Sequence, residues 1–266
     1  AVIRVGNQGG ARSRVVSQQH GRKNPIHTIA LMRQQSPQNT SNTEASDTER
    51  SNLMRRVHPA FIGYACIVHS AEGKKVGIVR QNAIFMHITR ALVSDILKHT
   101  LEEDSDFLPI TAVDIRNLAH ARKNKFVFVN GDWVGVVENA INFATKYRNL
   151  RRLGKIHEET TVYYEMHRDE VYFWVDAGRM VRPLLIVYNN KDHPQYFAKK
   201  YKSIDDYRQM ILYTARHAEL IATGRLKFID LLKLGIIELI SAEESENYIV
   251  APNYKALAEV WEDETQ

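Results

Sequence analysis

Residues 125–154, "KFVFVNGDWVGVVENAINFATKYRNLRRLG", constrain the fold more than any other stretch of the chain. Two runs of β-branched and aromatic residues flank Asn130-Gly131, and this dipeptide between such runs is the strongest short-range signal for a β-hairpin. A helical pattern follows directly and ends at Gly154, since glycine readily adopts the left-handed conformation that stops a helix. Strand and helix signals in one continuous stretch predict mixed α and β structure.

The predicted helix of this stretch has a polar C-terminal turn. Arg148, Arg151 and Arg152 stand where the negative end of the helix dipole favours basic side chains. Helical spacing places one set of residues along a single side of the helix, namely Ile141, Ala144, Tyr147 and Arg151.

Short apolar runs separated by turns occupy most of the remaining chain. Helices are predicted at 24–34, 90–101 and 201–224, and strands at 61–68, 76–88, 161–167, 170–178, 182–190 and in a last pair over 235–251. Helices and strands alternate irregularly, and no strand-helix-strand unit repeats. The pattern therefore predicts an α+β fold with irregular mixed sheets and hairpins, packed helices and several small subdomains.

Composition excludes several classes of protein. Of the 266 residues, 44% are hydrophobic and 25% charged, which are ordinary globular values and exclude a wholly disordered chain. No run approaches the roughly 18 apolar residues of a membrane span, and Arg4 and Gly6 interrupt any signal peptide. Cys66 is the only cysteine, so the chain has no internal disulfide and no cysteine-based zinc site, which suits a reducing, intracellular compartment.

The chain begins without methionine and in the middle of a pattern, "AVIRVGNQGGARSR". This start predicts a segment of a longer polypeptide or a processed product, although removal of an initiator methionine is an alternative.

Charge is distributed unevenly along the chain. Residues 1–60 carry nine bases against three acids, whereas residues 241–266 carry seven acids against Lys255. Such asymmetry favours contact between the N-terminal part and a polyanion, with solvated charged surfaces as the alternative.

Residues 33–52, "RQQSPQNTSNTEASDTERSN", hold almost no apolar side chains and predict a mobile loop. A flexible loop rooted in arginines suits contact with a phosphate backbone without reading of base sequence, and a merely solvated loop is the alternative. The basic residues around it are Arg33 before the loop, Arg50, Arg55 and Arg56 at its end, and Lys74, Lys75 and Arg80 on the adjoining turn.

The turn "VHSAEGKKVG" does not form a phosphate-binding P-loop. That motif needs a glycine where Val68 stands and Ser or Thr where Lys75 stands. His69 and Glu72 lack the later Cys-x-x-Cys of a zinc deaminase, so a hydrogen-bonded surface pair explains them better than catalysis.

Two further sets of residues are candidates for chemical sites. Cys66 with His58 or His69 could form a thiol nucleophile pair, but Cys66 lies in "YACIV", where a buried small hydrophobic residue is the better explanation. Asp104 and Asp106, with neighbouring glutamates, could surround a divalent ion, although such acidic runs are usually solvated. The sequence predicts neither a catalytic residue nor a metal ligand.

Four motifs in order resemble the second-largest, β-type subunits of multisubunit DNA-directed RNA polymerases. "VHPAFIGYACIVHSAEGKKVGIVRQNAI" resembles the histidine-led segment that runs into the family's Thr-Pro-Glu-Gly turn. "FVFVNGDWVGVVENAINFATKYRNLRRLGKI" is similar to its VNG-W-G hairpin and Leu-Arg-Arg-x-Gly helix end. "VDAGRMVRPLLIV" and "LLKLGIIELISAEESENYIVA" are similar to its Asp-Ala-Gly-Arg-x-x-Arg-Pro-Leu and Gly-Ile-x-Glu-x-Ile-x-Ala-Glu-Glu elements. Together they cover most of residues 20–250.

The resemblance implies a division into domains and a set of residues near the active-site cleft. Residues 1–95 would form the fork region with its loop at 33–52, residues 96–190 the first external domain, and residues 191–266 the start of the second. Arg55 and Arg56 correspond to a basic pair near the mobile catalytic element of the largest subunit, and Glu72 lies in that neighbourhood. The full set of residues expected near the cleft and nucleic acid is Arg33, Arg50, Arg55, Arg56, His58, Glu72, Lys74, Lys75 and Arg80.

The resemblance also implies partners and chemistry. The chain would contribute to a nucleotidyltransferase that transcribes DNA, together with the largest subunit, other subunits, the DNA template and the RNA transcript. The Mg²⁺ ions of its two-metal chemistry would be held outside this segment, which would bind no cofactor itself and contact no membrane. The expected location is intracellular, in nucleus or cytoplasm, or in a viral factory or virion if the chain is viral.

Departures from the family pattern keep two other functions open. Ser70 and Ala71 replace the usual Thr and Pro of the turn, and the overall divergence resembles that of subunits encoded by large DNA viruses. A freestanding nucleic-acid-binding module without catalytic role is one alternative. An unrelated small-molecule enzyme using His69 and Glu72 is another.

Overall fold

The computed structural model describes residues 22–35, 53, 55–73, 76–113, 124–187, 213–253, 255–257 and 259. The chain divides into two compact units, Ala1–Ile84 and Phe85–Gln266, which are described in turn. The domain boundaries predicted after residues 95 and 190 remain predictions. No helix of the described ranges is both long and apolar enough to cross a membrane.

The first unit begins with the predicted helix, α1, which spans Pro25–Met32. The side chain of Asn24 accepts a hydrogen bond from the His27 N–H at 2.6 Å, and Pro25 occupies the first helical position, where its missing N–H costs nothing. None of the residues in α1 is buried, and Ile26 and Met32 are more than two-thirds exposed.

A small antiparallel sheet follows in the order β1-β3-β2, with β1 at Gln34–Gln35, β2 at Ala65–Ser70 and β3 at Arg80–Asn82. The strand predicted at 61–68 starts later, because Pro59–Phe61 form a 3-10 turn and Gly63 is left-handed, with φ 85°. The strand predicted at 76–88 starts only at Arg80, because residues 76–79 form a turn, and it is interrupted after Asn82.

The second unit contains a five-stranded sheet in the order β5-β7-β6-β9-β8. All neighbours are antiparallel except β6 and β9, which run parallel. The predicted hairpin is confirmed, since Asn130 and Gly131 both adopt positive φ between its two strands. The strands are β5 Phe107–Pro109, β6 Lys125–Val129, β7 Asp132–Val137, β8 Thr161–Glu165 and β9 Glu170–Trp174.

Helix α3, Ala140–Arg152, covers one face of this sheet, and α2, Ser94–Glu102, packs beside it. Gly154 follows α3 with φ 70°, as the sequence predicts. The prediction that Ile141 shares the side of Tyr147 is wrong, because Ile141 is 55% exposed. The side chains that α3 buries are Ala140, Phe143, Ala144, Tyr147 and Arg151.

A second sheet of this unit has the order β11-β10-β4, with β4 at His87–Ile88, β10 at Met180–Leu185 and β11 at Ile237–Ser241. Pro183 is tolerated in the central strand because β4 pairs only with Met180 and Val181. Helices α4, Ala215–Ala222, and α5, Asp230–Lys233, contribute side chains to the core beside β11.

The C-terminal part differs in places from the predicted pattern. The acidic turn predicted within the last strand pair is present as a 3-10 turn at Glu244–Asn247, but the second strand is wrong, because residues 248–251 form no strand and β11 pairs instead with β10. The helix predicted at 201–224 is present at Ala215–Ala222, and residues 201–212 lie outside the described residues. Separate mixed sheets with packed helices confirm the predicted α+β fold.

A buried ion cluster joins α3 to the chain around β11. The guanidinium of Arg151 donates to both carboxylate oxygens of Glu244, at 2.8 and 2.7 Å, and to Glu238 at 3.1 Å. Arg152 donates two hydrogen bonds to Glu238, at 3.1 and 2.8 Å. Arg151 also donates to the carbonyl of Thr160 at 2.7 Å. We call Arg151, Arg152, Glu238 and Glu244 the buried ion cluster.

The cluster pairs two arginines with two carboxylates, and Arg148 adds a third positive charge 3.8 Å from Glu244. Arg151, Glu238 and Glu244 are buried, and Arg152 is half-buried. Burial by itself would raise the pKa of Glu238, but hydrogen bonds and charge from Arg152 and Arg151 outweigh burial and hold that pKa below its ordinary value. Burial would likewise lower the pKa of Arg151, and the charge of Glu244 reverses the direction. Each ion is therefore tolerated only because its partners are present.

Replacement of Glu244 by Gln leaves Arg151 buried without its main counter-ion, and we expect a loss of about 3–5 kcal/mol in the free energy of unfolding. Glu243→Gln is the matched control, because Glu243 is the exposed neighbour and its replacement changes stability by less than about 0.5 kcal/mol. Urea unfolding followed by tryptophan fluorescence reports on the second unit, since all three tryptophans follow Ile84. Equal losses in both variants would contradict a structural role for the cluster.

Stability should also fall in acid through Glu238. Its folded pKa is depressed, so its ion pairs contribute stability that is present above the ordinary value of 4.5 and is lost as the pH falls through the folded value. Urea unfolding at a series of pH values from neutral into acid should show a steeper loss for the native sequence than for Glu238→Gln. Parallel curves would show that Glu238 does not titrate with a depressed pKa.

Candidate nucleic-acid interface

Six of the nine residues predicted near the cleft are described, and all six lie in the first unit. They are Arg33, Arg55, Arg56, His58, Glu72 and Arg80. Arg50, Lys74 and Lys75 lie outside the described residues.

Arg80, on β3, holds the turn before it against the segment that leads into β2. Its guanidinium stacks on the ring of Phe61, 4.1 Å from the ring centroid. Its Nε donates to the carbonyl of Gly77 at 3.0 Å, and one Nη makes a long hydrogen bond of 3.5 Å to the carbonyl of Arg56. The charge of Arg80 is thus used mainly within the protein.

Arg55, in the segment that leads into β2, binds the turn before β3. Its guanidinium donates to the carbonyl of Val76 at 2.8 Å. At Gly77, which has φ 71°, a Cβ atom would lie only 2.4 Å from the carbonyl oxygen of Arg55. Only glycine fits this close approach, so the turn and the Arg55-Arg56 segment touch backbone to backbone.

Arg33 connects the end of α1 to β3. Its guanidinium donates to the carbonyl of Ala83 at 2.7 Å, and its own carbonyl accepts from the N–H of Asn82 at 3.0 Å. The loop predicted at 33–52 therefore starts later than expected, because Gln34–Gln35 form β1. The rest of that loop lies outside the described residues.

Arg56 differs from the other three arginines. Its side chain is exposed, and within the described part of the chain it forms no hydrogen bond or ion pair. His58 is also exposed, but its Nδ1 accepts from the N–H of Ala60 at 3.1 Å and caps the 3-10 turn. Glu72 is exposed beside Gly73 at the tip of the turn. Among the four described arginines of the candidate interface, Arg56 is thus the one with an exposed side chain.

A small cavity under the turn is not a substrate pocket. Its volume is about 30 Å³, which is room for one or two water molecules, and its lining includes Arg55, Phe61, Cys66, His69 and Arg80. The Sγ of Cys66 accepts a 3.4 Å hydrogen bond from the backbone N–H of His69. The geometry provides no room for a molecule between His69 and Cys66.

The acidic run near residue 104 belongs to the second unit and is bound to α3. Lys146 Nζ donates to Asp104 at 2.6 Å and to Asp106 at 2.8 Å, and the Tyr147 hydroxyl donates to Asp104 at 3.2 Å. Burial would raise the pKa of Asp104, but these hydrogen bonds and the lysine charge hold it below its ordinary value. Among the described residues, no three His, Cys, Asp or Glu side chains are placed to hold a metal ion.

Sequence reasoning missed two residues on which this arrangement depends, Phe61 and Gly77. Phe61 supplies the ring under Arg80, and Gly77 permits the close approach of Arg55. A Phe near an Arg-Arg pair is a usable signal for stacking, whereas the need for glycine at this position follows only from three-dimensional contact.

Comparison with protein families agrees with the motifs. A model described as RNA polymerase Rpb2, domain 3, matches residues 18–88, and one described as RNA polymerase Rpb2, domain 4, matches residues 127–188. The two matches are in chain order and together cover half of the chain.

Individual relatives carry the corresponding names. The DNA-directed RNA polymerase III subunit RPC2 of Saccharomyces cerevisiae is 29% identical over 73% of this chain and 15% of its own length. The DNA-directed RNA polymerase II subunit RPB2 of Encephalitozoon cuniculi is 26% identical over 92% of this chain and 19% of its own. The DNA-directed RNA polymerase subunit 2 of Acanthamoeba polyphaga mimivirus is 27% identical over 95% of this chain and 19% of its own.

The motifs and the matches define the class as RNA polymerase domains of the Rpb2 type. Within that class, the chain belongs to the family of second-largest subunits of DNA-directed RNA polymerases. It spans less than a fifth of the length of each of these relatives.

Gly77→Ala should release the Arg55-Arg56 segment, because the new Cβ cannot coexist with the Arg55 carbonyl at 2.4 Å. Gly73→Ala is the matched control, since Gly73 has a similar φ of 70° but a Cβ there meets nothing within 4 Å. We expect tryptic cleavage after Arg55 and Arg56, measured by mass spectrometry over time, to be several-fold faster in Gly77→Ala only. Equal acceleration in both variants would show that left-handed strain alone, and not the close approach, holds the segment.

Proposed function

We propose that this chain forms part of the second-largest subunit of a DNA-dependent RNA polymerase, shapes the active-site cleft, and contacts DNA and RNA during transcription. Residues 18–88, matched to domain 3, contain every described residue of the candidate interface. The observation that supports the proposal is the difference in contacts among the four described arginines. Arg33, Arg55 and Arg80 bind backbone carbonyls, and Arg56 projects outward from the frame they form.

This arrangement suits contact with a phosphate backbone. A guanidinium pairs well with phosphate, and such contacts position nucleic acid without reading its sequence. Because the backbone on either side of Arg56 is held by Arg55 and Arg80, less conformational entropy is lost when a phosphate binds. The same frame supports the placement of Glu72 and His58 near the cleft.

We assign the chemistry of nucleotide addition to other parts of the assembled enzyme. Two-metal phosphoryl transfer needs clustered carboxylates to hold Mg²⁺, and the described residues do not offer such a cluster. The proposed partners are the largest subunit, the remaining subunits, the DNA template and the RNA transcript. The relatives include a viral subunit, so the proposed location is intracellular, in a nucleus, cytoplasm, viral factory or virion.

Arg56→Ala in the assembled polymerase should slow elongation severalfold while leaving the free energy of unfolding within about 0.5 kcal/mol, because an exposed side chain contributes little to stability. Loss of one phosphate contact should also reduce the salt dependence of nucleic-acid binding, by a slope of about 0.9 for duplex DNA. Elongation assays measure the rate, and nucleic-acid binding at several salt concentrations measures the slope.

Arg225→Ala is the control, since Arg225 is exposed and lies outside the candidate interface. Arg55→Ala provides a second comparison, because it removes the hydrogen bond to Val76 and should lower stability as well as rate. If Arg56→Ala unfolded the subunit and left elongation by the folded fraction unchanged, Arg56 would not contact nucleic acid.

A further inference from the structure

The five-stranded sheet of the second unit has two different faces. Side chains alternate along a strand, so Val127, Val129 and Phe173 point toward α3 and are fully buried. The residues between them point to the opposite side. That side carries six half-buried aromatic residues, which we call the aromatic face: Phe126, Phe128, Trp133, Tyr163, Tyr172 and Trp174.

The rings of the aromatic face form one continuous row across four strands. Trp133 on β7 meets Phe126 on β6 edge to face, with centroids 5.2 Å apart. Phe128 stacks on Tyr172 of β9 at 4.9 Å and an interplanar angle of 11°. Tyr172 in turn stacks with Trp174 at 6.3 Å and contacts Tyr163 of β8 at 6.2 Å.

Cross-strand pairing of aromatic rings stabilises a sheet, but it does not require this many rings to remain partly exposed. Large side chains that are left partly accessible in a contiguous group on a sheet face mark interaction surfaces. The aromatic face is therefore a stacking platform of defined geometry.

The charges at one end of the platform are mainly negative. The hydroxyl of Tyr163 donates to Glu165 at 2.7 Å and to Glu246 at 3.4 Å, and that of Tyr172 donates to Glu170 at 2.7 Å. Each carboxylate keeps further lone pairs for another donor. Arg168 contacts the Tyr172 hydroxyl, and His167 and Arg168 act on Glu165, so the three carboxylates outnumber the bases beside them.

The aromatic rings and the carboxylates beside them together distinguish between two kinds of partner, single-stranded nucleic acid and a guanidinium group. Stacked bases of single-stranded nucleic acid also bind aromatic rows, but their phosphates would meet Glu165, Glu170 and Glu246. A guanidinium matches both features, because it stacks flat on aromatic rings and pairs with carboxylates through two parallel hydrogen bonds. Lysine supplies the charge without the flat stacking surface.

We propose that the aromatic face binds an arginine-bearing segment of another protein chain. The guanidinium groups stack on Phe128, Tyr172 and Trp174 and pair with the carboxylates at the β8-β9 end of the face. The inference rests on the second unit alone and is independent of the role proposed for Arg56.

The test measures binding of a fluorescent peptide of four Arg-Gly-Gly repeats to the 266-residue chain by anisotropy. We expect Tyr172→Leu to weaken binding about fivefold, because it keeps apolar bulk but removes the ring. Glu170→Gln should weaken binding as well, and a Lys-Gly-Gly peptide of the same length should bind less tightly than the arginine peptide. Phe228→Leu, at a partly exposed phenylalanine outside the face, should leave binding unchanged.

Three results would overturn the proposal. In the first, the arginine peptide does not bind. In the second, the native chain and Tyr172→Leu bind the peptide equally. In the third, a single-stranded oligothymidylate binds more tightly than the arginine peptide, and Tyr172→Leu abolishes that binding. The last result would identify the face as a nucleic-acid platform. Urea unfolding of each variant shows whether the chain is folded, and Phe128→Leu replaces Tyr172→Leu if the latter is unstable.

Discussion

The ion pair between Arg151 and Glu244 is the interaction on which the second unit depends most. It joins residues 93 positions apart, and it does so inside the protein, where neither charge has access to water. Because Glu238 and Arg152 complete the cluster, helix α3 is fixed at once to β11 and to the 3-10 turn after it. The cluster thereby connects the five-stranded sheet, which α3 covers, to the second sheet, in which β11 is an edge strand.

Short sequence patterns correctly predicted the elements whose structure depends on residues close together in the chain. The hairpin at Asn130-Gly131 and the end of α3 at Gly154 depend on backbone conformations that particular residues adopt easily, and both were predicted correctly. An acidic turn was predicted here and Glu244–Asn247 form it, but the strand predicted after the turn is absent, although the apolar residues Tyr248, Ile249 and Val250 resemble one. Nothing in that stretch reveals that Glu244 must turn inward to meet an arginine far away in sequence.

The same limit of prediction from sequence applies to the candidate interface. Sequence reasoning identified the arginines around the loop, since clustered bases are visible in a linear chain. It could not show that Arg33, Arg55 and Arg80 are used to bind carbonyl groups while Arg56 remains exposed. That distinction arises from the close packing of the Gly77 turn against the Arg55 backbone, which only the fold creates.

The central claim is that this chain works as part of a multisubunit RNA polymerase. Co-purification of the tagged chain from its native source, with mass spectrometry of the bound proteins, tests this claim most directly. We expect to recover a largest subunit that carries an aspartate-rich metal-binding loop. Recovery of the chain alone, bound only to nucleic acid, would contradict the claim and indicate a freestanding nucleic-acid-binding module.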